Sequence, residues 1–216
     1  MLVGSTSQMM AAEGAARETD NPAYWKQAQA DLAKLGDGFL IWETYRTGVW
    51  RIWTCKLDGS GSKQLSADEP TKDHQCPKIS PDGKTVVYLS FPKAPTKGDG
   101  GPDAKGEKVP VHQVNADGSN DHIILPDARQ YSGWNRAVSW INNQELAYIG
   151  GDGNTYQFNL KTQESKLLFK RLHVDAPSWL PNSKKTFAVW SFNTFSPFDE
   201  KLQVVRPIPH MGGCQP

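Results

Sequence analysis

Apolar and polar positions alternate along most of this chain, in short runs divided by tight polar turns. The clearest runs are Arg51-Ile52-Trp53-Thr54-Cys55-Lys56-Leu57, Thr85-Val86-Val87-Tyr88-Leu89-Ser90, Val111-His112-Gln113-Val114-Asn115, Glu145-Leu146-Ala147-Tyr148-Ile149, Thr155-Tyr156-Gln157-Phe158-Asn159-Leu160 and Thr186-Phe187-Ala188-Val189-Trp190. They are rich in β-branched and aromatic residues, which are crowded at χ1 in a helix, so each reads as a strand. Asp82-Gly83 and Asn142-Asn143 can take the positive φ angles of tight hairpins. Asp58-Gly59 and Asp117-Gly118 turn the chain into short outer strands, Lys63-Gln64-Leu65 and His122-Ile123-Ile124-Leu125. Leu202 to Arg206 reads as one more strand.

Three stretches repeat a common pattern of apolar run, polar turn and apolar run. They are Pro77-Lys78-Ile79-Ser80-Pro81-Asp82-Gly83-Lys84, Ala137-Val138-Ser139-Trp140-Ile141-Asn142-Asn143-Gln144 and Pro177-Ser178-Trp179-Leu180-Pro181-Asn182-Ser183-Lys184. Their turns open at residues 80, 140 and 180, and the longer gap holds a Gly/Pro/Lys-rich insertion, Pro92 to Lys108. Without the insertion both gaps fall near the roughly 40–45-residue period of a four-stranded propeller blade. One such sheet cannot bury both of its faces, but sheets stacked radially on their neighbours can. The fold class expected is all-β: a partial β-propeller of about three to four four-stranded antiparallel blades, with a short N-terminal helix. The blades are read at about 38–91, 109–150, 153–192 and, in part, 200–216.

The repeat resembles the TolB-type WD40-like propeller repeat, on Leu57-Asp58-Gly59-Ser60, Lys63-Gln64-Leu65-Ser66 and Pro77 to Gly83, and more loosely on Asn115-Ala116-Asp117-Gly118-Ser119 and on Pro177 and Pro181. The resemblance covers residues 38–216 and is specific for fold, because such repeats serve binding proteins, peptidase gating domains and polysaccharide lyases alike. Pro216 lies 39 residues after Pro177, and Gly212-Gly213-Cys214-Gln215-Pro216 resembles Gln75-Cys76-Pro77, so residues 37–216 are expected to be an incomplete propeller.

Residues 21–36 are the one good helix. Asn21 can cap it, Pro22 suits its first turn and Gly36 can end it. Trp25, Ala28, Leu32 and Leu35 share a face at helical spacing, and the expectation is that this helix docks on the propeller. Residues 1–20 read as a disordered tail or as the remnant of an export signal, with small residues around Met10 to Ala16 as a cleavage region.

Composition narrows the function classes. Lys and Arg number 24 against 23 Asp and Glu, a formal net charge of +1. That balance gives no field to gather nucleic acid or an anionic membrane. No apolar stretch is long enough to span a bilayer. Most of the eight Trp are read as packing between blades, with a sugar-binding surface at Trp42, Trp50, Trp53 and Trp134 as the alternative. Cys55 reads as a small buried residue, and Cys76 and Cys214 as too far apart for a bridge.

There is no Gly-x-Ser-x-Gly, no His-Glu-x-x-His and no phosphate-binding Gly-x-x-x-x-Gly-Lys, so no catalytic residue is assigned. His74, His173 and His210 each precede the same strand of the repeat. In the TolB-type arrangement that strand is innermost, and the loop leading into it opens at the mouth of the central channel. Asp73, Asp175, Gln75, Tyr131, Asn135 and Arg136 occupy comparable loops. His74, His173, His210, Asp73, Asp175, Tyr131 and Arg136 are therefore the candidate ligand-binding residues. The three histidines are the candidate metal ligands, against the alternative that they are loop residues bonded to backbone. No cofactor is the leading expectation, with a divalent metal as the alternative that the resemblance to oligogalacturonate-lyase propellers, which use channel histidines and a divalent metal, adds; the same residues could equally bind a carboxylated sugar or a peptide end.

The leading functional reading is a non-enzymatic module for a protein, peptide or glycan partner, periplasmic or extracellular as the resemblance implies. The alternative is the propeller of an enzyme: a lyase of the oligogalacturonate-lyase type, or the gating domain of a prolyl-oligopeptidase-like serine peptidase. If the histidines hold a divalent cation, metal raises the melting temperature of the protein and His173→Ala abolishes that rise. A melting temperature indifferent to metal removes the cation.

Overall fold

The computed structural model describes residues 21–93, 108–129, 138–170, 178–179, 187–191, 194–198 and 208–209. The strand expected at 202–206, the turn at Asn182-Ser183 and Cys214 lie outside them. The chain divides into two compact units, one within Met1–Leu40 and Cys55–Gly61, the other within Ile41–Thr54 and Ser62–Pro216.

In the smaller unit, α1 runs over Pro22–Ala33, with the Asn21 side chain accepting a hydrogen bond from the Ala23 amide at 2.9 Å. Gly36 ends the turn after it at a φ of 91°, which a side chain would resist. None of the residues of α1 is buried, and Trp25 is 54% exposed.

The described strands form four sheets. The first has the order β1 (Phe39–Thr44), β2 (Arg51–Lys56), β3 (Lys63–Gln64). The second is β4 (Lys72–Ile79), β5 (Thr85–Pro92), β6 (Lys108–Asn115), β7 (His122–Arg129). The third is β8 (Val138–Asn142), β9 (Glu145–Ile149), β10 (Thr155–Asn159), β11 (Glu164–Phe169). The fourth is β12 (Ser178–Trp179), β13 (Phe187–Ser191), β14 (Thr194–Phe198), β15 (Ile208–Pro209). Pairing is antiparallel, and β8 lies against both β4 and β12, so the opening strands of three consecutive sheets adjoin. This is the all-β, partial β-propeller architecture that the repeat predicts.

The sheets are cut from the repeat at another phase. The Pro77–Gly83 hairpin opens the second sheet instead of closing the first, and Ile208–Pro209 pairs with β14 as the last strand of the fourth. The reason lies in β5. Its inner half, Val86 and Val87, pairs with β4 on one side and β6 on the other, which leaves β1–β3 a separate sheet.

β5 is buried from Val86 to Phe91. Val86 and Tyr88 pack with Ile52, Leu65 and Val114 towards the first sheet. Val87, Leu89 and Phe91 pack with Val138, Trp140 and Leu146 towards the third. Alternation thus places an apolar face on each side, as a sheet between two others requires.

The Ser-Pro-Asp-Gly turn is built as its residues dictate. Gly83 takes a φ of 72°, and its amide donates to the Ser80 carbonyl at 2.9 Å. Buried Ser80 donates through Oγ to Asp82 at 2.7 Å and accepts from the Thr85 amide at 3.0 Å. The equivalent turn of the third sheet departs from expectation: neither Asn142 nor Asn143 takes a positive φ. Instead Asn142 Oδ1 accepts from the Gln144 amide at 2.8 Å, a side-chain turn that spares the backbone the left-handed region. Asn143 Oδ1 accepts from the Asp82 amide at 3.0 Å, tying the two turns together across sheets.

Ser80→Ala removes two hydrogen bonds at a buried turn and should lower stability by about 1–3 kcal/mol in urea denaturation. An unchanged midpoint would mean that the backbone alone holds the hairpin.

Candidate functional site

Alternation along β4, β5 and β6 puts His74, Tyr88 and His112 side by side on the face of the second sheet that meets the first. Tyr88 stands directly opposite His112, and His74 lies one pleat along, opposite Ser90. The ring centroids are 4.9 Å apart for His74–Tyr88 and for Tyr88–His112, and 5.6 Å for His74–His112. Asp121, from the turn before β7, closes the group. Tyr88 donates to its Oδ2 at 2.6 Å, and His112 Nδ1 lies 3.1 Å from its Oδ1. The Ala67 amide, just past β3, donates to Oδ2 at 2.7 Å.

Burial alone would raise the Asp121 carboxyl, but hydrogen bonds from His112, Tyr88 and Ala67 outweigh it and hold the group below its ordinary value. Burial, and then the Asp121 carboxylate beside it, push the Tyr88 hydroxyl well above the usual tyrosine range. At neutral pH Tyr88 is therefore a neutral donor and Asp121 an anion. An ionised carboxylate only accepts, so His112 carries its proton on Nδ1.

Arg51 enters from β2, fully buried. It donates to the carbonyls of Trp50 at 2.8 Å, Lys72 at 2.7 Å and Glu69 at 2.5 Å. Asp73 Oδ1 accepts from the Trp50 amide at 2.9 Å. His74 is fully buried, with neither ring nitrogen in a hydrogen bond; its Nε2 is 3.4 Å from a Glu69 carboxylate oxygen. Burial first, then the Arg51 and His112 charges, depress His74 to about 4 against the pull of Glu69, so it is neutral at physiological pH.

Of the sequence-predicted site residues, His74 and Asp73 fall in this seam; His173, His210, Asp175, Tyr131, Asn135 and Arg136 lie outside the described residues. His74 and Asp73 sit within β4, not in a loop. β5 extends to Pro92 and needs a partner, so Lys72 to Gln75 pair with Leu89 to Pro92. The irregularity between Gln75 and Lys78, with Cys76 at a φ of 59°, lets β4 run through Pro77. Sequence reasoning missed Arg51, Tyr88, His112 and Asp121. For Arg51, Tyr88 and His112 the signal was a polar group within an apolar run; Asp121, in a polar turn, had none.

No cation site is formed here. Among the described residues no group of three or more His, Cys, Asp and Glu side chains is placed to hold a metal ion. The His74 ring faces aromatic rings and the Arg51 guanidinium, which repels a cation. Trp42 and Trp53 flank the Arg46 guanidinium, 5.8 and 4.4 Å from their ring centroids, instead of lying bare as a sugar platform. Cys55 is a buried free thiol, as its place in the alternating strand predicts.

A second feature is open. Lys108 at the start of β6, Asp127 on β7, Tyr148 on β9, the Gly150-Gly151-Asp152 turn and Tyr156 on β10 line a cleft of about 450 Å³ between the second and third sheets. The tyrosine rings stack at 5.5 Å and 26°. Tyr156 donates to Asp152 Oδ2 at 2.6 Å, and the Tyr148 hydroxyl pairs with Ser165 Oγ at 2.9 Å. Lys108 Nζ stands 3.6 Å from Asp127 Oδ2, both side chains at least half exposed. A Cβ on Gly150 would come within 2.8 Å of the Tyr156 ring, so glycine there lets the ring lie over the backbone. Lys108 and Asp127 belong to the second sheet and the rest to the third, and only sheet packing joins them.

No protein-family profile matches this sequence, and no curated protein matches it. Solved structures do. TolB from Acinetobacter baumannii superposes with a TM-score of 0.52 at 18% identity, over 76% of this chain and 39% of that one. A puromycin hydrolase gives 0.53 at 17% identity, over 84% of this chain and 30% of that one. An oligogalacturonate lyase in complex with manganese gives 0.54 at 12% identity, over 84% and 50%. The chain thus spans half or less of each of these proteins, and at such identities the likeness is one of fold: a TolB-like propeller, in part.

The seam makes stability depend on acid. The unfolded chain protonates His74 near 6.5 and the folded chain only near 4, so the contribution is complete above about 6.5 and is lost as pH falls through that window. The loss should reach roughly 3–4 kcal/mol once both states are protonated, the worth of a fall from 6.5 to about 4. Denaturant melts from pH 7 to 4 should show this slope, and His74→Leu should flatten it. A slope unchanged in the variant would place the acid sensitivity elsewhere.

Proposed function

We propose that the chain is a non-enzymatic TolB-like propeller module that binds a protein, peptide or glycan in the cell envelope or outside the cell. The observation that carries this reading is the open cleft between the second and third sheets. It combines the half-buried Tyr156 ring, a loose ion pair and a glycine turn at a rim where two rigid sheets meet, the composition of a recognition site. The His74–Tyr88–His112–Asp121 group has the residue types of acid–base chemistry, but Tyr88 and His74 are wholly buried, so substrate cannot reach them. The location outside the cytoplasm rests on the small-residue region Met10 to Ala16 and on the TolB-like fold. No helix among the described residues is long and apolar enough to cross a membrane.

The lyase and hydrolase likenesses are no weaker than the TolB one, so fold gives the enzyme reading no advantage and no refutation. The cleft supplies the test. Gly151 has an ordinary φ, and a Cβ there meets the flexible end of Lys108 at 3.3 Å, so Gly151→Trp can fill the cleft without changing charge. Peptide and glycan arrays probed with the protein should give signals that disappear in Gly151→Trp while the melting temperature holds. Signals indifferent to the blocked cleft would refute it as the binding site. Release of ultraviolet-absorbing unsaturated products from polygalacturonate would replace the module with a lyase.

A further inference from the structure

The cleft carries a charge pattern that goes further than its shape. Its ionisable groups are Lys108, Asp127 and Asp152, one cation and two anions, for a net charge of −1. Asp152 is already engaged, accepting from the Asn154 amide at 3.0 Å, Asn154 Nδ2 at 2.6 Å and Tyr156 at 2.6 Å. Asp127 is not saturated in this way. Its ion-pair partner is Lys108, at 3.6 Å, beyond hydrogen-bond reach, with side-chain exposures of 67% for Lys108 and 50% for Asp127. Such a loose, solvated pair is worth little, and either member can turn to a ligand.

The tyrosines narrow the choice. Tyr148 is buried and stacked against Tyr156, so the ring a ligand meets is that of half-buried Tyr156, whose hydroxyl is engaged with Asp152. Ring faces attract cations through their quadrupole, and Asp152 adds negative charge behind Tyr156. A neutral sugar needs a spread of hydrogen-bonding partners for its hydroxyls, and an anion would meet two carboxylates against one ammonium. The field agrees: after burial, the Asp127 and Asp152 charges push the Tyr148 hydroxyl above its ordinary value, outweighing its hydrogen bond with Ser165.

We propose that this cleft takes the ammonium or guanidinium head of a basic peptide side chain, with Asp127 as its counter-ion and the Tyr156 ring, backed by buried Tyr148, as its apolar wall. The proposal deepens the binding-module reading and rests on it. It makes the partner a peptide or protein segment rich in lysine or arginine, not a glycan.

The test is an amide chemical-shift titration of the intact protein, followed at Gly150, Gly151 and Gly153. The probes are acetylated, amidated pentaglycines whose central residue is replaced by lysine, arginine, norleucine or glutamate, with maltotriose as the neutral sugar. The lysine and arginine peptides should shift the cleft amides and the others should not. Asp127→Asn should weaken binding at least about tenfold, the loss expected of one charge-assisted contact. Gly151→Trp should abolish it. Cleft shifts with maltotriose or the glutamate peptide but not with lysine would overturn the cationic ligand and leave the binding module standing. Lysine binding indifferent to Asp127→Asn would overturn the counter-ion assignment. No cleft shift with any probe would overturn the proposal, and array signals lost on blocking the cleft would then decide the broader reading separately.

Discussion

A sheet of four short strands has two faces, and in the second sheet of this protein both are apolar. β5 shows the constraint most clearly: Val86 and Tyr88 face one neighbour, Val87, Leu89 and Phe91 the other, and all are fully buried. Such a strand is stable only between two further sheets. Each sheet added to cover one face brings an apolar face of its own, so the architecture repeats. Apolar contact alone leaves sheets free to slide, and directional bonds remove that freedom. Trp140 Nε1 donates to the Lys78 carbonyl at 3.0 Å, the Asp82 amide to Asn143 at 3.0 Å, and Lys63 Nζ to the Asp117 carbonyl at 2.7 Å.

The two seams around the second sheet are built differently. Towards the third sheet the contact is an apolar core of Val, Leu, Phe and Trp side chains. Towards the first it adds a charged, hydrogen-bonded group in which Arg51 and Asp121 each bridge several elements. Buried polar groups specify geometry strictly because an unmet donor or acceptor is costly in a low dielectric. The consequence is acid sensitivity, because His74 beside Arg51 must stay neutral. The His74, Tyr88 and Arg51 side chains that fix the seam are thus buried away from ligand.

The cleft proposed for recognition lies instead at the rim. There Lys108 and Asp127 come from one sheet and Tyr148, Gly151 and Tyr156 from the next, held by strands that packing makes rigid. Folds of this kind occur in TolB, in a puromycin hydrolase and in an oligogalacturonate lyase, so the framework does not choose among activities. The side chains presented where two sheets meet do, and here they are aromatic and net anionic.

The linear sequence determined the strands, the Ser-Pro-Asp-Gly turn, the capped helix and the propeller class. Each rests on interactions among residues close in the chain or on a repeat period that survives an insertion. Tertiary structure alone decided the rest. Where a sheet begins depends on which strands β5 pairs with, which moved the Pro77–Gly83 hairpin into the second sheet and His74 from an expected loop into a buried strand. The union of Arg51 with His74 and His112, and of Asp127 with Tyr156, joins residues from different sheets or different strands. Local pattern fixes which face a side chain takes, but only the packing of one sheet on another decides what that face meets.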